Sequence, residues 1–146
     1  MQRILFCTDF LLAGGVERQL TELITRLDPS EFQIQVLCLY ANQAGKTLHF
    51  AEQIETHNIQ LQILDLGTNF FAKLRGMVAI WRTCWRFRPH ILHPVNYHSN
   101  LLTRMIRPFL PPSTKLIGTV RVEYTRKQLR YERFSQWTCR KIICNS

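Results

Sequence analysis

Short apolar runs alternate with stretches whose apolar residues recur at helical spacing, and that alternation leaves the chain few architectures to choose from. Ile4-Leu5-Phe6-Cys7 is apolar without a break, as expected of a central parallel strand covered on both faces. Gly14-Gly15 follows. Val16, Leu20, Leu23, Ile24 and Leu27 then recur at helical spacing until Asp28-Pro29 stops the pattern. Residues 34–40 read as a second buried strand and 48–57 as a helix. In Ile59-Gln60-Leu61-Gln62-Ile63 apolar and amide side chains alternate strictly, which predicts a strand with one wet face at a sheet edge. A helix over about 72–86 comes next with Pro89 just past its end, then a strand over 91–93, a helix over 99–106 and a strand over 115–120. A basic helical stretch over 126–137 and a last strand over 141–144 complete the pattern.

Regular β-α alternation predicts an α/β fold: a doubly wound, mainly parallel, six-stranded Rossmann-like sheet with right-handed crossovers, in a single domain. The edge character of the third strand selects the strand order 3-2-1-4-5-6. A chain of 146 residues is long enough to close one core without staples. It contains no internal repeat, low-complexity tract or linker, and its stop directly after a strand gives the expectation of a domain cut short.

Composition removes several classes. No apolar run approaches the roughly 20 residues that span a bilayer. Arg3 followed by apolar and then small residues has the outline of a secretory signal, but Asp9 breaks it and a periodic helix begins at once. The five cysteines, Cys7, Cys38, Cys84, Cys139 and Cys144, are scattered with no Cys-x-x-Cys pair, which predicts reduced, packed thiols, a cytoplasmic setting and no zinc. The formal charge of +9 is lopsided: residues 1–70 hold four Lys/Arg against eight Asp/Glu, whereas residues 71–146 hold fifteen against two. One strongly positive surface, and so an anionic partner, is expected.

The strongest local motif is Gly14-Gly15-Val16-Glu17-Arg18, between the first strand and first helix. Open α/β sheets bind ligands beyond the carboxyl ends of their strands, and glycines there let backbone approach an anion at a helix amino-terminus. The competing reading is a tight turn whose glycines only satisfy backbone geometry. A nicotinamide fingerprint G-x-G-x-x-G is absent, and Tyr40 stands where its ribose-binding acid would close the second strand. Ala44-Gly45-Lys46-Thr47 imitates the end of a phosphate-wrapping P-loop, but Tyr40 occupies the place of its first glycine, which favours a simple helix-start loop.

His93, Asn96, His98 and Asn100 cluster around the end of the fourth strand, at the ligand edge, as candidates to hydrogen-bond an acceptor. Against this, Asn96 and Ser99 suit turn and cap positions, and His93 suits a satisfied core histidine. Met77, Trp81 and Trp85 share one helical face beside Arg75, Arg82, Arg86 and Arg88. Arg75, Trp81, Arg82, Trp85, Arg86 and Arg88 form the candidate membrane-contact set, since Trp suits the headgroup level and Arg pairs with anionic lipid. Tryptophans at i and i+4 on a sheet-packed helix also fit a core, and Trp81 leans that way. Arg121 follows the fifth strand directly and so points at the ligand edge, where its planar fork suits phosphate or carboxylate.

Taken in order, four pieces resemble the amino-terminal domain of family-four glycosyltransferases, enzymes of the two-Rossmann-domain GT-B architecture. They are Ile4-Leu5-Phe6 leading to the glycine motif, Arg88-Pro89-His90-Ile91-Leu92-His93, Thr119-Val120-Arg121, and Ile142-Ile143-Cys144-Asn145-Ser146, so that the likeness runs over essentially the whole chain. The resemblance implies transfer of a sugar from a nucleotide-sugar donor to a glycan or lipid-linked acceptor, with retained anomeric configuration, no metal and no other cofactor. It puts Gly14, Gly15, Val16 and Arg121 beside the donor diphosphate and acceptor cleft. Two positions depart from the family: Arg121 stands where many relatives have histidine, and His90 where many have aspartate. The donor-binding domain with its paired glutamates is missing from these residues, so the chain is expected to be inactive alone and to need that domain in cis or in trans.

Two other readings stay open. One is a non-catalytic basic module holding a nucleotide or nucleic acid; the lack of any sequence-reading nucleic-acid motif counts against its nucleic-acid form. The other is a peripheral adaptor on an anionic membrane, at its cytoplasmic face.

Overall fold

A computed structural model describes residues 1–41, 49–67, 69–120 and 126–144, without the side chains of Arg126, Lys127 and Glu132. Six strands form one parallel sheet in the order β3-β2-β1-β4-β5-β6. They are β1 (Gln2–Thr8), β2 (Phe32–Cys38), β3 (Gln60–Ile63), β4 (Ile91–Pro94), β5 (Lys115–Val120) and β6 (Lys141–Cys144). Between them lie α1 (Gly15–Arg26), α2 (Ala51–Thr56), α3 (Phe70–Phe87), α4 (Tyr97–Met105) and α5 (Arg126–Ser135), with short 3-10 turns at Arg107–Phe109 and Gln136–Thr138. The architecture and strand order are those the alternation predicts.

Side chains of β1 and β2 point alternately to two cores. Ile4, Phe6, Val36 and Cys38 pack against Leu20 and Ile24 of α1 and Ile54 of α2. Leu5, Cys7, Leu37 and Leu39 pack with Leu92 and Leu116 against Ile80 and Cys84 of α3 and Leu102 of α4. Burying both faces explains why the central strands read as unbroken apolar runs rather than as an alternation. β3 keeps its alternation because it is an edge strand with Gln60 and Gln62 exposed.

The helices differ from expectation at their ends. α2 begins at Ala51 rather than at 48, and α3 is longer than the 72–86 pattern at both ends. Its start is fixed by Asn69, whose side chain accepts the amide of Ala72. Its end is fixed by Arg88, which takes the left-handed conformation (φ 50°) and donates its amide to Cys84. α4 starts two residues before Ser99, because Asn96 rather than Ser99 is its first cap. The P-loop look-alike at residues 44–47, and Asn145-Ser146 at the end of the last matching piece, lie outside the described residues.

Gly118 on β5 lies under a crossing of side chains. A Cβ there would come 2.6 Å from Nη2 of buried Arg104, 3.1 Å from Cys139 Sγ and 3.3 Å from Asn100 Oδ1. Gly118→Ala is therefore expected to destabilise the chain by about 1–3 kcal/mol through overpacking, read as a lower urea midpoint at unchanged m-value. An unchanged midpoint would mean that Arg104 can swing aside freely.

Candidate functional site

Strand order reverses direction at β1, which has β2 on one side and β4 on the other. The loops leaving β1 and β4 therefore meet at the carboxyl rim and frame a crevice, the ordinary ligand position in such sheets. Asp9, directly after β1, holds the two loops together. Its buried carboxylate accepts the amide of Ser99 at 2.7 Å and that of His98 at 3.0 Å, and pairs with His98 Nδ1 at 3.2 Å. It thus fills the amino-terminus of α4 with a charge from another part of the chain.

Asn96 works from the opposite loop. Its Oδ1 accepts the Thr8 hydroxyl at 2.7 Å and the Asp9 amide at 3.2 Å, while its Nδ2 donates to Glu17 Oε1 at 3.3 Å. The Ser99 hydroxyl accepts the Asn96 amide at 3.1 Å. Through Asn96 the starts of α1 and α4 are bound to one another, so Gly14-Gly15 and His98 share a rim.

Neither glycine takes left-handed backbone. Gly14 is extended (φ −140°), and Gly15 is the first residue of α1. A Cβ on Gly14 would meet the carboxylate of Glu17, the far end of a flexible side chain folded back over the turn. At Gly15 a Cβ would meet nothing within 4 Å. Val16 is half-buried behind it.

The four candidate acceptor residues separate into two groups. Asn100 is buried and its amide is used internally, donating to the carbonyls of Asn96 and Thr119 and accepting the Thr119 amide. His93 is buried too, with Nε2 3.0 Å from the Thr119 hydroxyl and its ring against Phe6. Both are buried beneath the rim and bond to Thr119 of β5. Asn96 is half-buried and engaged as described, which leaves His98, 48% exposed, as the group of the four that meets solvent. Its ring stands edge-on to Tyr40 and Tyr97, and Tyr40 in turn packs on Phe10, giving the crevice an aromatic side. Arg121 lies outside the described residues; β5 ends beside it at Val120.

Sequence reasoning missed Asp9 and Glu17 as site residues. The available signal was chemical: a carboxylate directly after a fully apolar strand falls where the sheet is buried, and a buried carboxylate must find donors.

The three buried cysteines, Cys7, Cys38 and Cys84, are not reactive candidates. Burial pushes Cys38 and Cys84 up to about 12 and Cys7 well above the usual thiol range. Among the described residues no group of histidine, cysteine and acidic side chains is placed to hold a metal.

No family model and no curated protein matches the chain. Solved structures do. The whole chain aligns with Anabaena Alr3699/HepE in complex with UDP at a TM-score of 0.73 and 14% identity, covering 38% of that chain. A glycosyltransferase from Rickettsia africae aligns over 98% of this chain and 36% of its own at a TM-score of 0.70 and 15% identity. The lipopolysaccharide outer core galactosyltransferase WaaB in its apo form aligns over 80% of this chain and 32% of its own, with a TM-score of 0.60 and 14% identity. The fold is one shared with GT-B glycosyltransferases. The chain spans under two fifths of the length of these structures.

The Asp9–His98 pair gives the crevice a pH dependence. The hydrogen bond to Asp9 raises the His98 pKa above its usual 6.5, with partial burial opposing. A folded-state value above the unfolded one stabilises fully below the unfolded pKa, and that stability is lost as pH rises through the folded pKa. His98→Gln is thus expected to cost more stability near pH 5.5 than near pH 9, by under about 1 kcal/mol because the ring is half exposed to solvent. Urea denaturation of both chains at the two pH values measures this; an equal cost at both would dissolve the ion pair.

Proposed function

We propose that this chain is the acceptor-side lobe of a retaining glycosyltransferase, moving a sugar from a nucleotide-sugar donor to a glycan or lipid-linked acceptor. Gly15 carries this reading. It stands at the rim of the crevice with no left-handed backbone and no neighbour that a side chain would strike. Among the described residues nothing demands glycine there, so we assign the demand to a ligand that must approach the backbone. The fold shared with glycosyltransferases, one of them solved with UDP, supports the same reading.

Within this proposal His98 meets the acceptor hydroxyl, held by Asp9 in a fixed orientation, and the aromatic side formed by Tyr40 and Tyr97 receives a sugar ring. Asn96 keeps the two loops in register, and His93 and Asn100 support them from below. Gly15 and Val16 face the donor diphosphate, and Arg121 is assigned to the same cleft. The donor lobe works in cis or in trans, and the chain alone does not transfer sugar. No metal or other cofactor is required.

A second element is peripheral attachment to an anionic membrane at the cytoplasmic face. Trp81 and Trp85 are 42% and 44% exposed, so neither belongs to the core, and Phe70 and Phe71 at the start of α3 are more exposed still. Both indole N–H groups donate to the Phe109 carbonyl, at 3.1 Å and 3.0 Å, which fixes the rings at the surface. Arg75, Arg82 and Arg86 lie on the same helix, whereas Arg88 caps its far end. Among the described residues no helix is long and apolar enough to cross a membrane.

The test uses Gly15→Val. A chain with this change is expected to keep its unfolding midpoint, since the added side chain meets open space, yet to lose sugar transfer by about tenfold or more once a donor lobe is supplied. A radiolabelled UDP-sugar transfer assay, run with and without that lobe, reads the loss. Full activity of the variant, or transfer by the unaided chain, would overturn the assignment.

A further inference from the structure

A second concavity lies away from the crevice, between α3 and the edge of the sheet formed by β2 and β3. Its volume is about 950 Å³. Gln35 of β2 and Gln60 and Gln62 of β3 form its floor, because the pairing Gln35↔Gln60 and Leu37↔Gln62 places all three on the face that α3 covers elsewhere. Arg75, Arg82 and Arg86 line its helix wall, and no acidic residue lines it.

Gln35 is the informative member. It is 6% exposed, yet among the described residues its side chain has no hydrogen-bond partner. Its amide atoms are not sealed off in the core, so they face the groove and can bond to whatever fills it. Here the amide belongs to the lining of an open groove. Three neighbouring glutamine amides offer donors and acceptors together, which suits a ligand with several hydroxyls. Arginines one turn apart, such as Arg82 and Arg86, offer forked donors that suit a phosphate.

The outer lip decides what carries those groups. Leu74, Val78, Trp81 and Trp85, all among the lining residues, are exposed, in line with Phe70 and Phe71. Such a stripe has little to offer a free polar molecule and much to offer acyl chains. We propose that the groove is a headgroup site for an anionic lipid bearing a polyol phosphate, whose phosphate is held by Arg82 and Arg86 and whose hydroxyls are held by Gln35 and Gln62. The chains leave over the lip formed by Leu74, Val78 and Trp85. This rests on the membrane attachment proposed above and adds to it selectivity for the headgroup over charge alone.

Flotation with vesicles of phosphatidylcholine containing about 30 mol% of either phosphatidylglycerol or phosphatidylserine separates the two claims, since the lipids carry equal net charge while one headgroup presents hydroxyls and the other an ammonium and a carboxylate. The 146-residue chain is expected to bind the phosphatidylglycerol vesicles about fivefold tighter. Gln35→Met and Gln62→Met leave the charge unchanged and are expected to erase that preference while retaining the weaker binding common to both. Circular dichroism melts of each variant confirm the fold, and Gln62, at an exposed position, gives a second arm should Gln35→Met unfold. Equal binding to both vesicles by the unaltered chain would overturn the headgroup site and leave the surface reading standing. Absence of binding to either would overturn both. Competition by soluble glycerol phosphate at concentrations that leave vesicles unable to displace it would make the groove a small-phosphate site and overturn the lipid assignment. Capture of an acidic oligosaccharide in place of either vesicle would assign the groove to glycan and overturn it equally.

Discussion

The buried carboxylate of Asp9 ties the chain's functional edge together. An ionised carboxylate out of water is tolerable only when donors surround it. Asp9 obtains two backbone amides and one imidazole, all from the start of α4 and all about ninety positions away in sequence. β4 must therefore lie beside β1 in the correct register, since a slip would pull α4 off the acid. The pairing Phe6↔His93 and Cys7↔Pro94 sets that register, and the Val95 amide continues it by donating to the Cys7 carbonyl. Sheet topology and crevice geometry are thus fixed by the same contacts.

How much of this the sequence disclosed depends on the range of the interaction. Strand order was legible because it follows from local texture: unbroken apolar runs at β1 and β2 against the strict alternation at β3. Helix existence was legible for the same reason. Helix ends were not, because the ends of α3 and α4 are set by Asn69, Arg88 and Asn96, residues outside the apolar periodicity. The crevice was half legible. Gly14-Gly15 and His98 announce themselves by position after a strand, but Asp9 reads only as an interruption until β4 and α4 are placed beside it. Asn100 and His93 show the converse ambiguity. Both have the chemistry of a binding residue, and both spend it inside the fold, on Thr119 of β5. Helical phase alone leans Trp81 toward the core, because inner and outer stripes share it; the Phe109 carbonyl, 28 positions away, holds the ring at the surface.

Charge distribution extends the same argument to what the chain needs from outside. The described carboxylates of the crevice, Asp9 and Glu17, both come from the acidic first half; His98 from the second half pairs with Asp9, and the neutral amide of Asn96 is bonded to Glu17 and to the Asp9 backbone. A hydroxyl approaching His98 finds acceptors for its proton there. A diphosphate finds two carboxylates, and the amino-terminus of α4 that would ordinarily attract it is already filled by Asp9. Among the described residues the open end of α1 at Gly15 adds of order 1 kcal/mol for a helix terminus, too little by itself to hold a dianion against two carboxylates. In the proposed function the compensating cations are assigned to Arg121 and to the second lobe. Under the proposed assignment, a crevice with these carboxylates suits an acceptor hydroxyl better than a nucleotide-sugar diphosphate, and the diphosphate is accordingly given to a second lobe.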